Sequence, residues 1–381
     1  MFVLAASSCG EMPLESTPEL PATIPRPVNR VTVEPTVLPS PELTTTPTPT
    51  GSPTSPPEVT SNGIASRVKA LARWEVNTVN GLAWFPDSSG FVASIEENGI
   101  HKIRMYDPIG YGEVWSVVTP LVFGLASSPD GKIIVASPYP FVNGIQFWDA
   151  TTGQPINSIS ESECVGGDKI VFSPDGHTIL TAYSTEKRGD QPSVTHFTLW
   201  DLDKGKCLGE FGVVKAQLAA LSLSQDGQLL AAAFGSGAAE AEFMTYLWGV
   251  STRENVCRLR GSVNAFGPDG RVLAIPDPVA DSKMNLWSTE TCEVSYSLQG
   301  IPYPYGSALA FSPNGQFIVT GRENIQLWDV TSGELLHETD KVPNGYVDVL
   351  TFSPNGRFLL STSPKSKPAG QATITLWGID P

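Results

Sequence analysis

The sequence predicts an all-β fold: a seven-bladed β-propeller of four-stranded blades, preceded by a disordered Pro/Thr-rich tether. Three observations predict it. A turn of the Ser-Pro-Asp-Gly type recurs seven times between residues 85 and 356. An apolar strand ending in Trp or Tyr follows each turn, again seven times. Residues 11–65 are rich in Pro, Thr, Ser and Glu and contain no aromatic residue, so they have little to bury.

The turns read Phe85-Pro-Asp-Ser-Ser-Gly90, Ser128-Pro-Asp-Gly131, Ser173-Pro-Asp-Gly176, Ser224-Gln-Asp-Gly227, Gly267-Pro-Asp-Gly270, Ser312-Pro-Asn-Gly315 and Ser353-Pro-Asn-Gly356. Pro presets φ at the first turn position, Asp or Asn bonds neighbouring amides, and Gly takes the positive φ that closes a tight hairpin. The aromatic anchors end at Tyr106, Trp148, Trp200, Trp248, Trp287, Trp328 and Trp377. Apolar and polar residues alternate ahead of each, the pattern of a half-buried strand.

Four short strands in about 40–45 residues, with Trp-Asp closing the third, resemble the WD-repeat (WD40-like) family. The resemblance covers residues 66–381 and is of a divergent, bacterial type. It implies that the ring is sealed by a strand borrowed from the N-terminal side, because the last copy ends at Trp377-Gly-Ile-Asp-Pro381 without a fourth strand. The stretch Arg67–Trp74 precedes the first copy and is the candidate. The family often carries a Gly-His pair that completes a hydrogen-bonded tetrad with Trp. The one such pair here, Gly176-His177, lies in a hairpin turn. Apolar packing is therefore expected to hold the blades.

The 381 residues carry a net charge of −15 and no basic stripe, which argues against nucleic acid as a partner. No run of about 18 apolar residues is present, so no spanning helix is expected. The five cysteines and four histidines show no ligand spacing, so neither a metal nor another cofactor is expected. Cys207, Cys257 and Cys292 follow the third-strand Trp and are expected on the diverging outer strands of blades three, four and five. With Cys164 in a loop, all four are expected to be free thiols, since a disulfide needs Cα atoms within about 7 Å. The turn aspartates Asp130, Asp175, Asp226 and Asp269 belong to turn chemistry, not to a calcium loop.

The first ten residues, Met1-Phe-Val-Leu-Ala-Ala-Ser-Ser-Cys9-Gly, resemble the end of a bacterial lipoprotein signal, with small residues ahead of the Cys to be lipidated. A working signal has a charged start and roughly 7–15 apolar residues. Either translation begins upstream of Met1, or Cys9 is an ordinary thiol and the chain a cytoplasmic scaffold. The organisation expected is a signal remnant (1–9), a Pro/Thr/Ser-rich linker (10–65) and the propeller (66–381). At about 3.1 Å per residue the linker could hold its domain up to roughly 150 Å from an anchor.

No nucleophile elbow, zinc-protease helix or phosphate loop is present, and no enzyme activity is expected. In such rings function lies in the loops. The resemblance places the loops between second and third strands on one face with the blade-to-blade loops. Tyr139 and Phe141 in one, and Tyr303 and Tyr305 in another, are candidate partner contacts, with Arg188 and Asp190 as rim charges. The expected function is that of a monomeric, non-catalytic protein-interaction module, lipid-anchored through Cys9 to the outer surface of a bacterial membrane. The alternatives are a carbohydrate-binding propeller, or an enzyme with a site in the central channel.

Overall fold

The computed structural model describes residues 68–379, apart from 141–143, 161–163, 186–192, 236–242, 263–264, 278–282, 300–307 and 365–370. Cys9 and the linker 10–65 lie outside the described residues, as do Phe141, Arg188, Asp190, Tyr303 and Tyr305. Those described form seven separate sheets of four antiparallel strands. Blade 1 is built from Thr78–Trp84, Phe91–Glu97, Ile100–Tyr106 and Glu113–Val118, inner to outer in chain order. Blades 2 to 6 repeat that order over 122–159, 169–214, 218–260, 265–299 and 308–338. In blade 7, Val349–Phe352, Phe358–Ser363 and Ala372–Ile379 supply three strands. Val68–Val76 supplies the outer one, in register from Val68 opposite Ile379 to Val76 opposite Ala372. The ring is therefore sealed as the sequence predicts.

Strand alternation puts one apolar set on each face of a blade, and each set packs against the neighbouring blade. The core is consequently divided into seven apolar clusters, one per interface. At the seam, Phe91, Ile95 and Tyr106 of blade 1 meet Ile374 and Leu376 of blade 7. Two bonds close the seam at the inner rim: Trp84 Nε1 donates to Thr351 O (3.4 Å) and Asn355 N to Ser88 Oγ (3.0 Å).

The Ser-Pro-Asp-Gly turns all join inner to second strands and share one face with the turns that join third to outer strands. In blade 2 the Ser128 hydroxyl donates to Asp130 Oδ1 (2.6 Å), which also accepts from Lys132 N (3.1 Å). The same bonds recur at Ser173–Asp175 and Ser224–Asp226. Asn314 and Asn355 take the carboxylate's place in blades 6 and 7. The turns also pack on one another, with Gly131 against Pro86 and Gly356 against Pro313 of the preceding blade.

These bonds have a pH signature. The Ser128 hydroxyl and then the Lys132 amide hold the Asp130 carboxyl down at about 2. Asp175 and Asp226 are likewise lowered, first by their serine hydroxyls. A carboxyl depressed in the fold binds fewer protons than in the unfolded chain, where its value is about 3.9. Its contribution is therefore present above about pH 4 and lost as pH falls toward 2. The melting temperature is expected to fall over that window. The triple variant Asp130→Asn, Asp175→Asn, Asp226→Asn is expected to fold at neutral pH, as blades 6 and 7 already do with Asn, and to show a flatter fall. Thermal melts from pH 6 to 2.5 check this; identical profiles would show that the turns carry no acid sensitivity.

Of the tetrad that the family resemblance implies, the Trp–hydroxyl link persists in three blades. Trp200 Nε1 donates to Thr181 Oγ1 (2.9 Å), Trp328 Nε1 to Thr320 Oγ1 (3.1 Å) and Trp377 Nε1 to Ser361 Oγ (2.9 Å). In blade 3 the chain is extended by a backbone carbonyl, Val165 O, to which the Thr181 hydroxyl points (3.3 Å).

The cysteines correct the sequence reading. Cys164 is bonded to Cys207 and Cys257 to Cys292, with Cα separations of 6.4 and 6.1 Å. Outer strands of adjacent blades do diverge, but neither bridge joins two outer strands. Cys292 sits in the turn before the outer strand Val294–Gln299, at φ 58°, and reaches back to Cys257 on the outer strand of the blade before. Gly153 and Gly333 hold the matching place in blades 2 and 6, where an added Cβ would meet Trp115 and Leu298 of the preceding blade. Cys164 lies in the linker entering blade 3, which descends into the interface and buries both sulfurs' residues.

Candidate functional site

The two faces of the ring differ in kind. One carries short turns of nearly constant length, locked by the bonds above. On the other, the connections from second to third strands range from the two-residue turn Asn98-Gly99 to much longer loops in blades 2, 3, 4, 5 and 7. The blade-to-blade linkers open on the same face. Chain length is thus free to vary on the loop face alone, and that is where a partner-specific surface can be built.

Blades 2 and 3 contribute its best-described part. Tyr139 directly follows the second strand of blade 2 (Ile133–Pro138), is 56% exposed, and sets its ring edge-on against Phe123 at 6.0 Å. Its backbone N–H donates to Leu121 O at 2.7 Å. Two residues earlier, Ser137 is fully buried. Its hydroxyl donates to Gly144 O (3.1 Å) and accepts from Gly167 N (2.9 Å), pinning both ends of the Tyr139 loop to the linker into blade 3. Side chains at Gly166 and Gly167 would overlap Ser137 and the Ala182 backbone, so this close approach requires glycine.

Asp168 follows that pair. Burial pushes its carboxyl above the ordinary value, against the pull of the Lys169 charge. On the adjacent strands of blade 3, Tyr183 stacks on His196 at 5.3 Å, and His196 Nδ1 lies 2.7 Å from Glu210 Oε1. The loop that contains Arg188 and Asp190 springs from a locked base. Thr185 N donates to Val194 O (2.8 Å) and Val194 N to Thr185 Oγ1 (2.9 Å). Ser184, paired with Thr195 at 2.8 Å, accepts from Leu218 N of blade 4 at 2.9 Å.

Of the predicted contacts, the structure places Tyr139 on the loop face, exposed and beside a second aromatic ring. Sequence reasoning passed over Ser137, Asp168 and the Tyr183–His196 pair. The Gly166-Gly167 doublet was the available signal, because two adjacent glycines outside a turn motif mark a backbone that must come close to something. Aromatic faces beside carboxylates can stack on apolar or cationic groups and accept hydrogen bonds.

The described parts of the seven inner strands contain one charged residue, Lys169, and no His, Asp or Glu. Among the described residues no group of three His, Cys, Asp or Glu is placed to hold a metal ion. Nor is any helix among them long and apolar enough to cross a membrane. Comparison with known proteins finds no family model and no curated relative that matches the chain, so the seven-bladed β-propeller is established by its own strand pairing.

Proposed function

We propose that this chain is a non-catalytic protein-interaction module of a bacterial cell envelope, anchored through a lipid on Cys9 and docking a protein partner through the loop face. The asymmetry of the two faces carries the reading. One is sealed by uniform turns, whereas the other holds the variable loops and the exposed Tyr139 set against the half-buried Phe123. Aromatic side chains on a rigid base are favoured binding anchors because little conformational freedom is lost when they are covered. The two disulfides support a location outside a reducing cytosol, where such bonds persist.

The test is in-cell cross-linking and capture with the full chain beside the variant Tyr139→Ser, Phe141→Ser, Tyr303→Ser, Tyr305→Ser. The native form is expected to capture one envelope protein. The variant, with an unchanged melting temperature, is expected to lose at least tenfold of it, since anchor residues typically contribute about 2 kcal/mol or more. Equal capture by both would sink the loop-face reading. Retention of the native form on cell-wall glycan, without a captured protein, would replace the protein partner with a carbohydrate.

A further inference from the structure

The turn face contains a feature that the interaction reading leaves unused. A cavity of about 360 Å³ opens at the mouth of the ring. Its walls are the inner strands of four consecutive blades, with Leu223, Phe266, Phe311 and Phe352 at their turn-face ends and Pro268 and Pro313 at the rim. A second cavity of about 220 Å³ shares Ser312, Pro313 and Phe352 with the first and runs between blades 6 and 7, past Phe317, Leu327 and Ile379. Volumes of this order are those of small-molecule sites, about 300–1,000 Å³.

Charge sets the pair apart from its surroundings. The protein carries a net −15, yet the residues lining the two cavities include no carboxylate and one charged side chain, Arg357. Arg357 is exposed, at the solvent edge of the second cavity. No ion pair to it is present among the described residues. The second cavity is the apolar one of the two, walled by Pro313, Phe317, Leu327, Phe352 and Ile379, and an apolar chamber gains by taking up a hydrocarbon chain from water. A free guanidinium at its edge matches a planar carboxylate with two parallel hydrogen bonds.

We propose that the cleft between blades 6 and 7, where it opens beside the ring mouth, is a binding site for an amphipathic carboxylate, a fatty-acid-like molecule whose chain lies along Phe317, Leu327 and Ile379 and whose head pairs with Arg357. The site lies on the turn face and does not depend on what the loop face docks.

The experiment is calorimetric titration of the full chain with dodecanoate, and with dodecanol and dodecyltrimethylammonium as neutral and cationic counterparts. Dodecanoate is expected to bind saturably with one molecule per chain, and at least tenfold more tightly than either counterpart. Arg357→Gln, at an exposed position, is expected to fold normally and weaken dodecanoate about tenfold, the loss of one charge-assisted pair. Tyr139→Ser, on the opposite face, is expected to leave dodecanoate binding unchanged. Absence of saturable binding, equal affinity for dodecanol, or an unaltered Arg357→Gln would each overturn the proposal.

Discussion

A chain beginning at residue 77 is expected not to fold cooperatively, whereas one beginning at residue 66 is expected to melt as the full chain does. The difference is the strand Val68–Val76, which pairs along the whole third strand of blade 7. Its removal strips Trp74 from Phe91 and Tyr106, whose ring centroids lie 5.6 and 4.8 Å away. It also takes Leu71 from the blade 7 backbone at Gly378 and bares Ala372–Ile379 as an edge strand rich in apolar residues. Removing one large aromatic side chain from a core costs about 3–5 kcal/mol, and nine residues with their ladder cost several times that. A domain stable by about 5–15 kcal/mol does not survive it. Size-exclusion chromatography and thermal melts of the two chains give the answer. A cooperative melt of the shorter chain within a few degrees of the longer one would show that the seam is not held by this strand.

Loss of the disulfides is expected to be the next largest effect. Each bridge joins residues 43 or 35 positions apart, and closing loops of that size removes unfolded-state entropy worth about 4 kcal/mol apiece, a ceiling that real bridges approach from below. The paired variants Cys164→Ala, Cys207→Ala and Cys257→Ala, Cys292→Ala are each expected to lose about 2–4 kcal/mol in guanidinium unfolding. The reduced native protein is expected to lose both contributions. The order of reduction should differ as well. Cys164 and Cys207 are buried, while Cys257 and Cys292 are partly exposed on the rim, so alkylation under mild reductant is expected to label the second pair first. Unfolding curves that coincide with and without reductant would mean that the bridges contribute nothing.

The ring was legible in the sequence because its determinants are local and repeated. Each Asp130-type turn is specified within four residues, and each Trp anchor within one strand, so seven weak signals add in phase. The closing strand was legible through arithmetic, since a final copy without a fourth strand demands one from elsewhere. The disulfides were not legible in this way. Cys292 was expected on an outer strand, yet that strand starts at Val294, and the left-handed turn position that Cys292 occupies makes sense only when the preceding blade is in place. Cys164 needed the path of a linker that descends between blades, which alternation along single strands does not encode. The same limit applies to the candidate site. Tyr139 announced itself as an aromatic in a loop, whereas Asp168 depends on the path of the linker that enters blade 3, and the Tyr183–His196 stack on the register of two strands joined by a long loop.

Val68 and Ile379 are register partners at the same end of blade 7, so the strand that enters the ring and the strand that leaves it lie side by side. Every other blade joins those two strands by a short turn. A linker of a few residues from Ile379 to Val68 would give blade 7 the same connectivity, and the ring would have no preferred starting point. Circular permutants opened in the blade 4 loop at 236–242 should then fold to the same seven blades, because continuity around the circle resides in the packing and not in the order of the chain.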